Sequence, residues 1–239
     1  HTQMTITLRE TSHTGATTKG SALTWAEGDG NFIHLDNATP ISVKNYGAVG
    51  DGVTNDTSSF TSALATGSSI WLVPGETYLV TERLVFTSGS HLISDGTATI
   101  YCPASSFGVS SLNIIHRYGV TSCVLAISGL TSVPFTPLQR CGVIGVRIES
   151  EVSSGRYLDA ITARNINGLT VRNCEIFGFP VGSGVKVASV SSMRIQNNWI
   201  HDFTDNTTNW PAGTPQITGV EVDNDRVNSV YSKGSIISE

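Results

Sequence analysis

The chain has 239 residues, 14% of them charged, with a formal net charge of −5 and a pI near 5.6. That balance excludes a general electrostatic attraction to nucleic acid or anionic lipid, and no cluster of Lys and Arg restores one locally. No run of about 18 apolar residues occurs, so no membrane-spanning helix is predicted. The start His1-Thr2-Gln3-Met4 lacks the basic, apolar and small-residue order of a signal peptide, and with a first residue other than Met the chain is expected to be trimmed or a fragment. Abundant Gly, Ser, Thr and Asn favour turns over helix interiors, which points to an all-β protein.

Residues 1–40 form one compositional unit. Within it, Thr24 and Glu27 have the spacing of a capping box at the start of a short helical turn. Trp25, Phe32, Ile33 and Leu35 are too many large apolar groups for a free linker, so this segment is expected to pack on another chain. From Ile41 the character changes. Ile41 to Thr57 begins as a strand and passes into a turn punctuated by Gly47, Gly50 and Gly52. Asn55 or Asp56 can then cap a short helix over Asp56–Ala65, with Phe60, Ala63 and Leu64 on one face and Gly67 as its stop. Such a helix suits the covering of an end.

Beyond Ser69, short apolar runs alternate with turns: Ile70 to Val73 before Pro74-Gly75, then Tyr78 to Val80, Leu84 to Phe86, Leu92-Ile93 and Thr99 to Tyr101. Their Thr, Val and Ile content predicts strands. Cys102, Cys123, Cys141 and Cys174 lie 21, 18 and 33 residues apart. No zinc or redox spacing occurs, and each lies in or beside an apolar stretch. They are expected to be buried thiols, made in a reducing cytoplasm.

Four segments align under one another: Leu138–Ile148, Ile166–Ile176, Val190–Ile200 and Val227–Ile237. The first and last positions are apolar in all four, and the sixth in three, with Ser232 the exception. The starts are 28, 24 and 37 residues apart. A fixed internal pattern with variable spacing predicts a solenoid that keeps its strands and varies its loops. Asn173 and Asn197 share one offset and could form a hydrogen-bonded ladder inside the coil. A solenoid needs a cap at each terminal coil; the helix near residue 60 supplies one, whereas Ser235–Glu239 stops as a fourth rung closes, the second sign of a fragment.

Val43 to Thr57, followed by Phe60, Ala63 and Leu64, resembles the opening of the pectate-lyase-like superfamily, which includes phage tailspikes and polygalacturonase-type enzymes. Trp71 to Tyr78 and Gly96 to Ile100 resemble its first coils. The resemblance implies a right-handed parallel β-helix over residues 41–239, continuing past the last residue. Lys19 to Leu35 resembles a short motif near the N-termini of phage tail fibres and spikes. Its matching positions imply a virion-attachment segment at 1–40 that includes Leu23, Trp25, Glu27, Asp29, Asn31, Phe32 and Leu35. Together the two resemblances imply a homotrimer fixed to phage tail or baseplate proteins, binding and usually cutting a host capsular polysaccharide or lipopolysaccharide. No cofactor, nucleic acid or membrane insertion is implied. The alternatives are a non-catalytic tail adapter with the same fold and a secreted pectinase-like enzyme.

Glycoside cleavage needs two carboxyl groups, roughly 5–5.5 Å apart for retention or 6.5–9.5 Å for inversion. Alternate residues on a strand share a face at about 6.6 Å. Glu221, Asp223 and Asp225 alternate in this way if 219–225 is a strand, as do Glu149 and Glu151. His201 and Asp202 offer a base and an acid. Lyase chemistry would pair a base with a cation such as Arg164 or Arg172. Trp210, beside Pro211, is a candidate platform for a sugar ring. The run Glu221 to Asp225 has oxygens for calcium, but strand geometry splays them, and no metal site is predicted. Gly182-Ser-Gly184 lacks the Lys and spacing of a phosphate loop.

Overall fold

The computed structural model describes residues 40–107, 109–110, 123–128, 136–151, 156–180, 182–203, 218–223 and 236–238. All of them lie in the second of two units into which the chain divides, Thr39–Glu239. The N-terminal attachment residues, from Leu23 to Leu35, lie outside the described residues.

The described part is a parallel β-helix with three faces per coil. Face one stacks Leu84–Val85, Cys123–Ser128, the first half of Asp159–Arg172, the first half of Ser183–Gln196, and Thr218–Asp223. Face two stacks Ile41–Ser42, Ser69–Trp71, His91–Ile93, Leu138–Ile144, the second halves of the same two long strands, and Ile236–Ser238. Face three runs Asp51–Asn55, Thr77–Leu79, Thr99–Cys102, Arg147–Ser150, Glu175–Phe177 and Trp199–His201. Every pairing along the three faces is parallel, because each strand meets its equivalent one coil later.

Each face sends one column of apolar side chains inward. On face two the column is Ile70, Leu92, Val143, Val171 and Ile195. On face three it is Tyr78, Ile100, Ile148, Ile176 and Ile200. All but Ile200 are essentially solvent-free, and Ile200 packs against the core while partly exposed. Each fully buried side chain of this kind contributes roughly 1.5–3 kcal/mol, so the coils hold one another together only in a stack.

The corners are made by single residues in the left-handed region. Asn165 and Ser189, with φ of 50° and 55°, bend the long strands between faces one and two. Gly145, Asn173 and Asn197, with φ of 62°, 54° and 54°, turn face two into face three in successive coils. Asn tolerates this conformation because its short polar side chain bonds locally. This corrects the interior ladder expected of Asn173 and Asn197: both side chains are exposed. The inward-turned amide is the next residue, Asn198, whose Oδ1 accepts from Cys174 N (3.0 Å) and whose Nδ2 donates to the Val171 carbonyl (3.0 Å). A polar ladder does run along the stack, on the outside of face two. There Asn167 Nδ2 donates to Gln139 Oε1 (3.2 Å) and Ser191 Oγ donates to Asn167 Oδ1 (3.1 Å).

The first three aligned segments pair as the repeat predicts, Leu138 with Ile166 and Val190, and Ile148 with Ile176 and Ile200. The fourth does not. Ile237 pairs with Ile195, at the sixth position and not the eleventh, so the row is displaced by five residues. The apolar positions of the repeat are themselves five apart, and such a slip preserves most of the pattern.

The predicted helix spans Thr57–Leu64, between Asp56 and Ala65, and takes the place of face one in the first coil. Phe60, Ala63 and Leu64 are buried beneath it, with Phe60 edge-on to Tyr78 at 5.4 Å. Of the two residues expected to cap it, only Asn55 does so through its side chain. Asn55 Oδ1 accepts from Thr57 N (3.1 Å), while the buried Asp56 carboxylate turns back to the glycine-rich turn. There it accepts from Val49 N (2.6 Å) and Gly50 N (3.0 Å). The opening motif thus carries its own lock, an acid satisfying backbone donors that a sharp turn leaves without partners. The four cysteines are free and buried, as expected. Burial pushes the Cys123 thiol up to about 12 and Cys174 to about 11, and raises Cys102 and Cys141 as well. No helix among the described residues is long and apolar enough to cross a membrane.

Candidate functional site

On face three the residues on either side of the inward column form two rows, which point outward except at the buried Thr99. One row is Thr99, Arg147, Glu175 and Trp199; the other is Tyr101, Glu149, Phe177 and His201. Successive members are one coil apart, about 4.8 Å. Side chains that are distant in sequence are thereby gathered on one patch.

His201, at the end of its row, joins the most groups. Its Nδ1 is 2.9 Å from Asp202 Oδ2, and its Nε2 is 3.2 Å from Glu175 Oε1. A protonated ring donates to both carboxylates and a neutral one to only one of them. The imidazole stacks on Trp199 with ring centroids 3.9 Å apart and on Phe177 at 5.4 Å. Arg147 Nε donates to Glu175 Oε2 (2.6 Å), and its guanidinium lies 5.2 Å from the Phe177 ring centre. Glu175 is therefore held between a guanidinium and an imidazole. Trp199 is 64% exposed, the largest aromatic surface among the described residues left open to solvent.

Two further carboxylates border this group. Glu149 is partly buried between Tyr101 and Phe177 in its row and, among the described residues, forms no ion pair. Glu151 is exposed and accepts from the Tyr101 hydroxyl at 3.4 Å. Burial, followed by the charge of Glu151, raises the Tyr101 phenol above its usual value. Glu149 and Glu175 are diagonal neighbours on adjacent strands, a relation that separates Cα atoms by about 7–8 Å.

Of the residues that the sequence singles out, His201, Asp202, Glu149 and Glu151 fall on this patch. Glu221 does not. It lies on the outside of face one, where its Oε2 accepts from Ser183 Oγ (2.7 Å) and its Oε1 pairs with Lys186 (3.1 Å). Nearby, the buried Asp159 accepts from Ser183 N at 2.8 Å. This is a satisfied polar network on a different face from His201. Asp223 ends the strand Thr218–Asp223, while its side chain, Asp225 and Trp210 lie outside the described residues. Arg164 and Arg172 sit on faces one and two, so the cation that joins the acids is Arg147. Sequence reasoning missed Arg147, Glu175 and Trp199, which the aligned repeat contains, and Phe177, which directly follows it. They occupy the tenth and twelfth positions, flanking the inward eleventh.

A family model described as rhamnogalacturonase A/epimerase, pectate lyase-like, matches residues 40–132. A Penicillium expansum protein described as a non-secreted LysM effector, LysM19, is 34% identical over 79 residues, which are 32% of this chain and 6% of that protein. The chain thus spans a small fraction of that relative. Among solved structures, the surface adhesin PfbA of Streptococcus pneumoniae superposes with a TM-score of 0.55 at 21% identity, over 71% of this chain and 40% of the adhesin. The bacteriophage CBA120 tailspike protein 3 gives a TM-score of 0.46 at 15% identity, over 81% of this chain and 30% of that protein. The adhesin superposition shows a common fold.

Proposed function

We propose that the chain is the anchoring segment and first coils of a phage tail spike or fibre, and that the outer side of face three binds a host surface polysaccharide. The observation that carries the binding reading is the exposed Trp199, held flat on His201 and next to Glu175 in its row, with Asp202 bonded to His201 and Arg147 to Glu175. An aromatic plane fixed by its neighbours accepts the apolar side of a pyranose, and the surrounding carboxylates accept from its hydroxyls. Support for the virion role comes from residues 19–35, whose sequence resembles phage tail attachment motifs. Trimerisation belongs to the same reading, and a monomer by light scattering of the full-length protein would count against it.

A second reading, glycan cleavage, draws on Glu149 and Glu175. They are diagonal neighbours on adjacent coils, and Glu175 stands next to Trp199 in its row, so a sugar bound on Trp199 would reach Glu175 first. Incubation with host capsule or lipopolysaccharide is expected to give a complex that co-sediments with the glycan, and new reducing ends if the pair is catalytic. Binding without reducing ends leaves a non-catalytic receptor-binding or adapter protein; absence of binding to every host glycan sinks the proposal. Deleting residues 1–40 is expected to leave the β-helix folded and to abolish incorporation into particles. Normal incorporation of the truncated protein would refute the attachment role.

A further inference from the structure

We infer that the glycan taken by face three is uncharged, built of neutral or N-acetylated sugars, and is not a polyuronate; this rests on the glycan-binding reading above. The inference comes from the charges on the patch. Four carboxylates, those of Glu149, Glu151, Glu175 and Asp202, stand on or beside the two outward rows. Against them stands one guanidinium, Arg147, and it is already bonded to Glu175. His201 brings no net positive site for an anion, because each of its ring nitrogens already faces a carboxylate. Toward the first coils, Lys44 pairs with Glu76 at 2.8 Å and is likewise occupied.

A uronate chain laid on Trp199 would place a carboxylate on every sugar beside Glu149 and Glu151, with no unpaired cation among the described residues of this face to receive it. Like charges at such separations repel, and desolvating them at an aromatic surface worsens the cost. A neutral sugar meets the opposite situation. Its hydroxyls are donors, and carboxylates are pure acceptors that form the stronger, charge-assisted kind of hydrogen bond. The net charge of −5 on the whole chain adds to the discrimination against polyanions. The polymer class that the matched family description would bring to mind is therefore the one this surface rejects.

The test is a tryptophan-fluorescence titration of the full chain, with Trp199→Ala as the locating control. The probes are neutral polymers (dextran, mannan, galactan and N-acetylglucosamine oligomers) and polyuronates (polygalacturonate and alginate), each at low and high sodium chloride. A neutral probe is expected to change the Trp199 signal with a Kd that salt leaves nearly constant, since no charge pairing is screened. Neither polyuronate should titrate at low salt. In the Glu149→Gln, Glu151→Gln double variant, affinity for the neutral probe is expected to fall about tenfold as charge-assisted bonds are lost. A polyuronate that titrates Trp199 of the wild type at low salt, and binds the double variant no more tightly, would overturn this inference while leaving the glycan-binding reading intact. No change at Trp199 with any probe of either class would overturn the glycan-binding reading and this inference with it.

Discussion

Replacing Trp199 with Ala is expected to lower affinity for the bound polysaccharide about 30-fold, the equivalent of about 2 kcal/mol for an aromatic anchor at the centre of a binding surface. Stability should change by less than about 1 kcal/mol, because the side chain is 64% exposed and its partner is the neighbouring His201 ring. The two readouts separate a binding residue from a structural one. Phe177→Ala is the instructive companion. Phe177 is only partly exposed and supports both Arg147 and His201, so its loss should affect stability and binding together. A Trp199→Ala protein that binds as well as the wild type would move the binding surface away from face three.

The second large effect concerns the coil corners. Gly145 lies in the left-handed region, and a Cβ there would fall well inside contact distance of the Ser94 carbonyl oxygen on the preceding coil. That atom is backbone within a hydrogen-bonded stack: Ser94 N donates to the Ile144 carbonyl (2.9 Å), and Gly96 N donates to that of Gly145 (2.8 Å). Neither coil can yield without opening the ladder. Gly145→Ala is expected to cost about 2–5 kcal/mol, combining roughly 1–2 kcal/mol for the conformation with roughly 1–3 kcal/mol for the clash. Gly75 is the control, since it has a similar φ of 75° and a methyl group there would meet nothing within 4 Å. Gly75→Ala should therefore cost only about 1–2 kcal/mol. Urea unfolding of the two variants measures both. Equal losses would mean that the close approach of the coils at Gly145 contributes nothing.

Much of the β-helix was legible in the residues because a solenoid writes its geometry locally. Apolar residues at the first, sixth and eleventh positions predict the register of Leu138, Ile166 and Val190, and the structure keeps it. The same regularity misleads at Val227. With inward positions five apart, displacement by five replaces one apolar residue with another, and Ser232 at a core position is the sign that the row is misplaced. The interval that the pairing sets, from Ile195 to Ile237, is 42 residues, longer than the 37 between the starts of the aligned segments. Asn173 and Asn197 are found by position and misread in role. A repeated Asn beside a strand can serve through its side chain or through its backbone, and φ decides between them.

The site was less legible for a different reason. His201 and Asp202 are neighbours in sequence and can be paired by eye. Glu175 and Arg147 lie 26 and 54 residues before His201, and only the stacking of coils brings them together. Attention to alternating acids within one strand leads to Glu221, whose charge is spent on Ser183 and Lys186. In a stacked-coil protein the productive comparison is across rungs, at the positions beside each inward residue.

The most direct test of the central proposal, that a glycan lies on Trp199 over face three, is oxidation of the indole by N-bromosuccinimide with and without bound polysaccharide, read by mass spectrometry of the peptide that contains Trp199. A binding surface centred on this indole predicts rapid oxidation of the free protein and protection of Trp199 when the glycan is bound. Unchanged oxidation of Trp199 in a protein shown to be saturated with glycan would contradict it.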